Sequence, residues 1–406
     1  MSAGVAKPAE AAKVDAPQRV AIVGAGIVGL AHAWAASRCG HQVTVYERDT
    51  HAVGASVRNF GLGLVLGQPA GELYELAQQS RSMWLEFLRA AGCWHKAQGS
   101  LTVARTRAEL DVLEAFQAER GAAYGTRLIG PAEVAAHHAH GLGGLYSTTE
   151  IALDARHAIA ALAGWLAECH GVRFHYGVQV NAIDLPRIDT SSGVYRADRA
   201  IVCSGHDFQT LFPQHYAALD VRRCALQMLR VANPGIQLAP ALMTGLSTLR
   251  YQAFTQCPAL AAPLAALRDE VAQTQPWLIA HGIHLIIQQV GANGDLIVGD
   301  SHAYGETVSP FNRADIDASM LALAEGLLRR PLQVLERWQG VYASGSRGYE
   351  IVQPAEGVQI VAITGGIGMS IAFGLAQKTF LQPSQPCLPA LITVPAPGTA
   401  PNSRYG

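Results

Sequence analysis

The segment Val20-Ala21-Ile22-Val23-Gly24-Ala25-Gly26-Ile27-Val28-Gly29 constrains this chain more than any other. Its apolar opening is a short buried strand, and its glycines lead into an apolar helix that runs toward Gly40. Gly24 permits a tight turn, Gly26 lets backbone approach a pyrophosphate, and Gly29 lets the helix pack on the sheet. The helix N-terminus offers unpaired N–H groups and positive partial charge to phosphates. Eighteen residues after Gly29, at the end of the alternating strand Gln42–Glu47, stands Glu47. A carboxylate at that place accepts ribose hydroxyls. A tight turn in an ordinary α/β sheet would explain the glycines but not Glu47. The segment therefore reads as a dinucleotide-binding turn with its ribose-binding acid.

The rest of the composition is compatible with a large globular enzyme. The 406 residues suffice for two or three domains, and half are hydrophobic. A net charge of −1 gives no whole-chain field toward nucleic acid or an anionic membrane. Lysine occurs only at Lys7, Lys13, Lys96 and Lys378, so any anion-binding cation between 97 and 377 must be arginine or histidine. Seven cysteines without a CxxC pair read as buried, reduced thiols. No transmembrane helix and no secretory signal are read, which places the chain in the cytoplasm. The run His137-His138-Ala139-His140 lacks cysteine or carboxylate partners at ligand spacing and reads as a solvated helix end, so no metal is expected.

Residues 1–18 read as a flexible leader and 383–406 as a Pro-rich tail. Between them, helices are predicted over Glu72–Ala91, Ala108–Glu119 and Ala155–His170, the last capped by Asp154. Strands are predicted at Val172–Tyr176, Val178–Ile183, Arg199–Cys203, Ile283–Val290, Leu296–Asp300 and Gln359–Ile363. Asn293-Gly294 marks a hairpin between two of them. The strand–helix–strand pattern returns at the start, middle and end of the chain, with an antiparallel-looking block at 220–340. That implies an α/β fold in which a discontinuous Rossmann-like nucleotide domain carries an inserted α+β domain with an antiparallel sheet.

Two further segments favour FAD over NAD. Ala200-Ile201-Val202-Cys203-Ser204-Gly205 is a buried strand ending in small residues, which lets backbone approach a ligand. Gly365-Gly366-Ile367-Gly368-Met369 is a second glycine turn entering a helix, whose N-terminus suits the negative charge of a reduced flavin. With the opening motif and Ala55-Ser56-Val57-Arg58-Asn59-Phe60-Gly61, these segments stand in the order found in D-amino-acid, glycine and sarcosine oxidases. The chain resembles that superfamily over about residues 19–380.

The resemblance implies FAD, bound by Gly24, Gly26, Ile27, Gly29, Glu47, Arg48, Ser56, Asn59, Gly61, Val180, Ser204, Gly205, Gly366, Gly368 and Met369. It places the loop from Ser56 to Gly61 beside the flavin, Val180 near the adenine and Gly366–Met369 at the pyrimidine end. The FAD domain is expected from 19–50, 150–215 and 341–382, and the substrate domain from 51–149 and 216–340. Covalent members of the superfamily use a cysteine near the terminal glycine turn; none lies between Cys257 and Cys387, so FAD is expected to be non-covalent.

Five segments, among them CALQMLR at 224–230, LRYQAFTQCPAL at 249–260, IVGDSHAYG at 297–305 and RWQGVYAS at 337–344, resemble the subgroup associated with bacterial phosphonate degradation. This implies oxidation of the C–N bond of N-methyl-2-aminoethylphosphonate or 2-aminoethylphosphonate to phosphonoacetaldehyde, by hydride transfer from a neutral amine, with O2 as acceptor. Where amino-acid oxidases carry Gly-Leu-Arg-Pro, with an arginine for the substrate carboxylate, this chain has Gly340-Val341-Tyr342-Ala343. The substrate-binding candidates are Arg58, first choice for a phosphonate, then Arg250, Tyr251, His302 and Tyr342, with Arg347 weaker. The rival readings are a D-amino-acid or N-methyl amino-acid dehydrogenase or oxidase, and a non-catalytic dinucleotide-binding module.

Overall fold

A computed structural model of the chain describes residues 16–380; most of the expected leader and the Pro-rich tail lie outside them. The fold is mixed α/β and is organised by one 14-stranded sheet. Five strands at one end are parallel, in the spatial order Val358–Gly365, Arg199–Val202, Arg19–Val23, Gln42–Glu47, Arg173–Tyr176. The first three are apolar on both faces at their centres, as a parallel sheet covered on both sides requires. On one face lie the helices Ile27–Arg38, Glu72–Ala90, Ala155–His170 and Gly368–Phe380, around a core of Trp34, Trp84, Phe87 and Phe373. The Phe373 ring meets Trp34 and Trp84 edge-on at centroid distances of 5.2 and 4.9 Å. On the other face packs a three-stranded antiparallel sheet, Val180–Asp184, Arg187–Thr190 and Gly193–Arg196.

The remaining strands continue the same sheet and are mostly antiparallel. The 22-residue strand Val334–Ala355 joins the two parts, pairing with Val358–Gly365 on one side and Val221–Val231 on the other. Beyond Val221–Val231 follow Asp295–Gly299, Ile286–Val290, Ala241–Thr244, Ser100–Ala104, Gly143–Ser147 and Thr126–Ile129. The predicted hairpin is present: Val290 pairs with Asp295 across the turn 291–294. A second large core under this part includes Leu101, Phe116, Leu242 and Phe254.

The capped helices appear where expected. Asp154 accepts hydrogen bonds from the backbone N–H groups of Arg156 and His157 at the start of Ala155–His170. The helix predicted over Ala108–Glu119 is longer, Arg107–Tyr124, because Thr106 caps it by accepting from the Glu109 N–H, and Gly125 ends it in a left-handed conformation. The block at 220–340 also holds two helices not read in the sequence, Ala261–Thr274 and Ala314–Leu328. In the first, Pro263 looks like a breaker, but it sits in the first turn, where no hydrogen bond from its nitrogen is needed. His137 ends the short helix Pro131–Ala136 and stacks on Tyr146, and His140 donates its backbone N–H to Leu327. No disulfide joins the described cysteines; Cys203, Cys224 and Cys257 are buried, whereas Cys169 is exposed, against the expectation of uniformly buried thiols. No described helix is long and apolar enough to cross a membrane.

Candidate active site

One long cleft crosses the molecule from the C-terminal ends of the parallel strands into the antiparallel part of the sheet. Its cavity volume is about 410 Å³. Its first half is built by backbone. Gly24 has φ of +101°, and a Cβ there would stand 2.5 Å from the carbonyl oxygen of Cys203. A Cβ on Gly29 would stand 1.9 Å from the carbonyl oxygen of Gly24, so glycine alone lets the helix come this close to its own turn. The helix beginning at Ile27 has no acidic residue in its first turn and no side-chain cap from Gly26. The Ser56 hydroxyl accepts the Ile27 N–H at 2.9 Å, and Glu47 accepts the Ala25 N–H at 2.9 Å and the Asp49 N–H at 3.1 Å.

Of the residues expected to bind the cofactor, Gly24, Gly26, Ile27, Glu47, Arg48, Ser56, Asn59, Val180, Ser204, Gly205, Gly366, Gly368 and Met369 all line this cleft. Gly29 and Gly61 stand behind its wall. A Cβ on Gly61 would meet the Leu153 carbonyl oxygen at 2.0 Å, and the Gly61 N–H is held by Asn59 at 2.7 Å. Asn59 also donates to the carbonyls of Ala55 and Ser56 at 2.9 Å each, which fixes the loop facing the glycine turn.

The second half is polar and charged, and Arg250, Tyr251, His284, Asp300, His302 and Tyr342 line it. Strand register assembles it. Cys224 pairs with Tyr304 on one side and Tyr342 on the other. Both tyrosine hydroxyls thereby reach Arg250, whose two terminal nitrogens donate to them at 2.9 Å each. Burial disfavours the charge on Arg250, but the oxygens of Tyr342, Tyr304 and Asp300 outweigh that cost and keep it cationic. Among the described residues no carboxylate forms a salt bridge with it. Tyr342 is pushed well up by burial and stays a neutral hydroxyl. The amino-acid-oxidase clamp is thus missing from 340–343 in sequence, yet Tyr342 at that place carries a guanidinium brought in from Arg250.

Asp300, His284 and His302 form the deepest polar group. The Nε2 of His284 lies 3.2 Å from Asp300 Oδ1, and the Nε2 of His302 lies 3.6 Å from Oδ2. Burial pushes the Asp300 carboxyl up to about 7, although the charge of Arg250 pulls the other way. Burial, followed by the charge of Arg250, holds both histidines well below the usual imidazole range, so they are neutral. Asp300 and His284 were not singled out from sequence. Asp300 lies inside the segment IVGDSHAYG, from which only His302 was taken, and His284 is a lone histidine ahead of an apolar strand.

Two expected substrate residues sit apart from this group. Arg58 lines the cleft, but its side chain is exposed and donates to the Gln339 carbonyl at 3.3 Å. Arg347 is exposed, lies 3.5 Å from Glu350 and is absent from the cleft.

The model of one protein family, FAD dependent oxidoreductase (DAO), matches residues 19–380. The chain belongs to this family. Its fold is similar to that of glycine oxidase from Bacillus cereus, with a TM-score of 0.71 at 16% identity, over 89% of this chain and 94% of that one. L-proline dehydrogenase from P. horikoshii gives 0.70 at 16% identity, over 89% and 91%. The FAD-bound L-alpha-glycerophosphate oxidase from Mycoplasma pneumoniae gives 0.69 at 17% identity, over 90% and 95%. The cleft fits the family's cofactor. The glycine turn presents to the cleft a helix N-terminus with no acidic residue in its first turn, suited to a pyrophosphate although the Ile27 N–H is held by Ser56, and Glu47 stands beside that turn. A flavin toward Gly366–Met369 would have the Arg250 and Asp300 pocket as its neighbour along the cleft.

Proposed function

We propose that this protein oxidises the C–N bond of a small amine that carries an anionic group, and that the anion is a phosphonate. One observation carries the reading: among the described residues the cleft guanidinium, Arg250, is hydrogen-bonded to two tyrosine hydroxyls and has no carboxylate partner. A cation in that state calls for an anion from the ligand. Tyr342 accepts from Arg250 and directs its own O–H toward the Cys224 sulfur, a weak acceptor that a ligand oxygen could replace, so donors of two kinds stand together. That suits the three oxygens of a phosphonate, and the segments around Arg250, Asp300 and Tyr342 are those that resemble the phosphonate-associated subgroup. Arg250 replaces Arg58 as the residue proposed to hold the anion, because it is the more buried and its charge the less screened.

Bound FAD supplies a two-electron acceptor for this chemistry. The chain's own residues bind, orient and exclude water. Arg250 and Tyr342 fix the anionic end, and Phe60, Leu226 and Ile286 line the cleft with apolar surface. Flavin attachment is proposed to be non-covalent, and O2 is the proposed acceptor. The test is steady-state kcat/KM, measured with an artificial electron acceptor so that it does not depend on O2. N-methyl-2-aminoethylphosphonate is expected to exceed glycine, sarcosine and D-alanine by about tenfold or more, the worth of one well-placed charged contact. Faster oxidation of sarcosine or D-alanine would assign the protein to amino-acid oxidation instead.

A further inference from the structure

The group at Asp300 has a hydrogen-bonding problem that the chain does not solve. The Asp300 and His302 side chains are 7% and 3% exposed. Although His284 Nε2 is 3.2 Å from Asp300 Oδ1, it lies outside hydrogen-bonding geometry, and Oδ1 has no hydrogen-bond partner. His302 Nδ1 is 2.8 Å from the carbonyl oxygen of Gly282. A carbonyl only accepts, so Nδ1 carries the proton, and neutral His302 turns the lone pair of Nε2 toward Asp300 Oδ2 at 3.6 Å. The site therefore sets acceptor against acceptor on the wall of the cleft, where burial makes an unmet acceptor costly. A proton on Asp300 resolves it in the protonated state; once Asp300 is ionised, what resolves it is a cation rich in N–H donors. Among the described residues the cation nearby is Arg250, whose terminal nitrogens donate to Tyr304 and Tyr342 rather than to Asp300. A divalent metal ion beside Arg250 and a single carboxylate would leave two surplus positive charges in a buried site. An ammonium group leaves one, and its several N–H donors can meet the Asp300 carboxylate and the His302 Nε2 lone pair together.

We propose that Asp300, flanked by His284 and His302, receives the ammonium group of the substrate and takes one of its protons. This rests on the amine-oxidising reading above. One N–H bond breaks, an O–H bond forms on a carboxylate oxygen of Asp300, and the electron pair stays on nitrogen. The ammonium becomes a neutral amine and the carboxylate a neutral acid, so the lone pair needed to form C=N is available in the cleft. The groups facing Asp300 are Arg250, Tyr251, Cys224, His284 and His302. Burial brings the carboxyl to about 7, within reach of proton exchange near neutrality. Arg250 and Asp300 together make a two-ended pocket, an anion at one end and an amine at the other.

The test uses the FAD-loaded protein and two ligands of one shape. These are 2-amino-2-methylpropylphosphonate, whose amine-bearing carbon has no hydrogen to lose, and 2,2-dimethylpropylphosphonate, with methyl in place of the ammonium. Titration calorimetry near pH 7 is expected to show wild type preferring the amine by about 10- to 100-fold. Asp300→Asn should erase that preference while leaving the flavin absorbance spectrum and the affinity for the methyl ligand unchanged. With an oxidisable substrate, kcat/KM of Asp300→Asn should lie below wild type near pH 7 and rise about tenfold per pH unit as solvent supplies free amine, whereas the wild-type profile should be much flatter above about pH 7. Equal affinity of wild type for the two ligands overturns the proposal, needing no variant to fold. So does a preference retained in Asp300→Asn, or a preference that vanishes when one equivalent of bound metal is removed. If neither phosphonate binds wild type, the phosphonate reading fails. The pair 2-aminoisobutyrate and pivalate then decides the role of Asp300, and equal or absent binding of that pair overturns it too.

Discussion

Replacing Asp300 with asparagine should change how stability depends on pH, in a direction and amount set by burial. The carboxyl goes from an ordinary value of 3.8 to about 7 in the fold. That shift of roughly 3 units is worth about 4 kcal/mol at ~1.36 kcal/mol per unit. Below about pH 4 both folded and unfolded chains hold the proton, and Asp300 costs nothing. Between about pH 4 and 7 the unfolded chain releases it while the folded one keeps it, so stability falls as pH rises. Above about pH 7 the whole penalty stands. His284 and His302 act in the opposite sense: both are held neutral, so their contribution is lost as pH falls below about 6.5. Asparagine leaves the histidines in place and removes only the Asp300 contribution. From pH 5 to pH 8 the variant should therefore gain about 3 kcal/mol on wild type. At ~2.1 cal/mol/K per residue, that is roughly 3 °C in Tm for a chain of this size. Thermal unfolding of the two proteins, with saturating FAD at matched ionic strength, measures the gap. A gap that stays constant over this range, or closes with rising pH, would refute the claim that Asp300 is a buried, high-pKa acid.

Three further substitutions separate the ends of the cleft. Arg250→Met should weaken binding of 2,2-dimethylpropylphosphonate by about 10- to 100-fold, the loss of a charged hydrogen-bonding anchor, with FAD retained; Arg58→Met should weaken it much less, and titration calorimetry ranks the two. Glu47→Ala should weaken FAD binding by about 1–3 kcal/mol without changing substrate preference, because the carboxylate stands beside the glycine turn and holds the Ala25 N–H. Apoprotein titration with FAD checks it, and an unchanged dissociation constant counts against the ribose role.

The cofactor half of the cleft was legible in the sequence because its requirements are local. Gly24 and Gly29 are demanded by backbone contacts within a few residues and one neighbouring strand, and Glu47 follows on the next strand. A pattern of glycines and one acid can encode that. The other half is set by register. Tyr304 and Tyr342 are 38 residues apart and meet only because both pair with Cys224. One step of slip in either pairing would turn its tyrosine to the opposite face of the sheet. Arg250, His284 and Asp300 come from separate elements, and no spacing rule joins them. Tyr251 and His302 were found through resemblance of whole segments, and Asp300, two residues from His302, was passed over because an acid ending a strand has many ordinary uses. The helix Ala261–Thr274 was hidden by Pro263, which the first turn tolerates.

The most direct test is anaerobic mixing of the FAD-loaded protein with N-methyl-2-aminoethylphosphonate, following the flavin absorbance. The account predicts that the yellow colour bleaches and that one phosphonoacetaldehyde appears per FAD reduced, with intact FAD released when the protein is denatured. Flavin that remains oxidised with this amine and with every other anionic amine, or that is bleached only by amines bearing no anion, would contradict it.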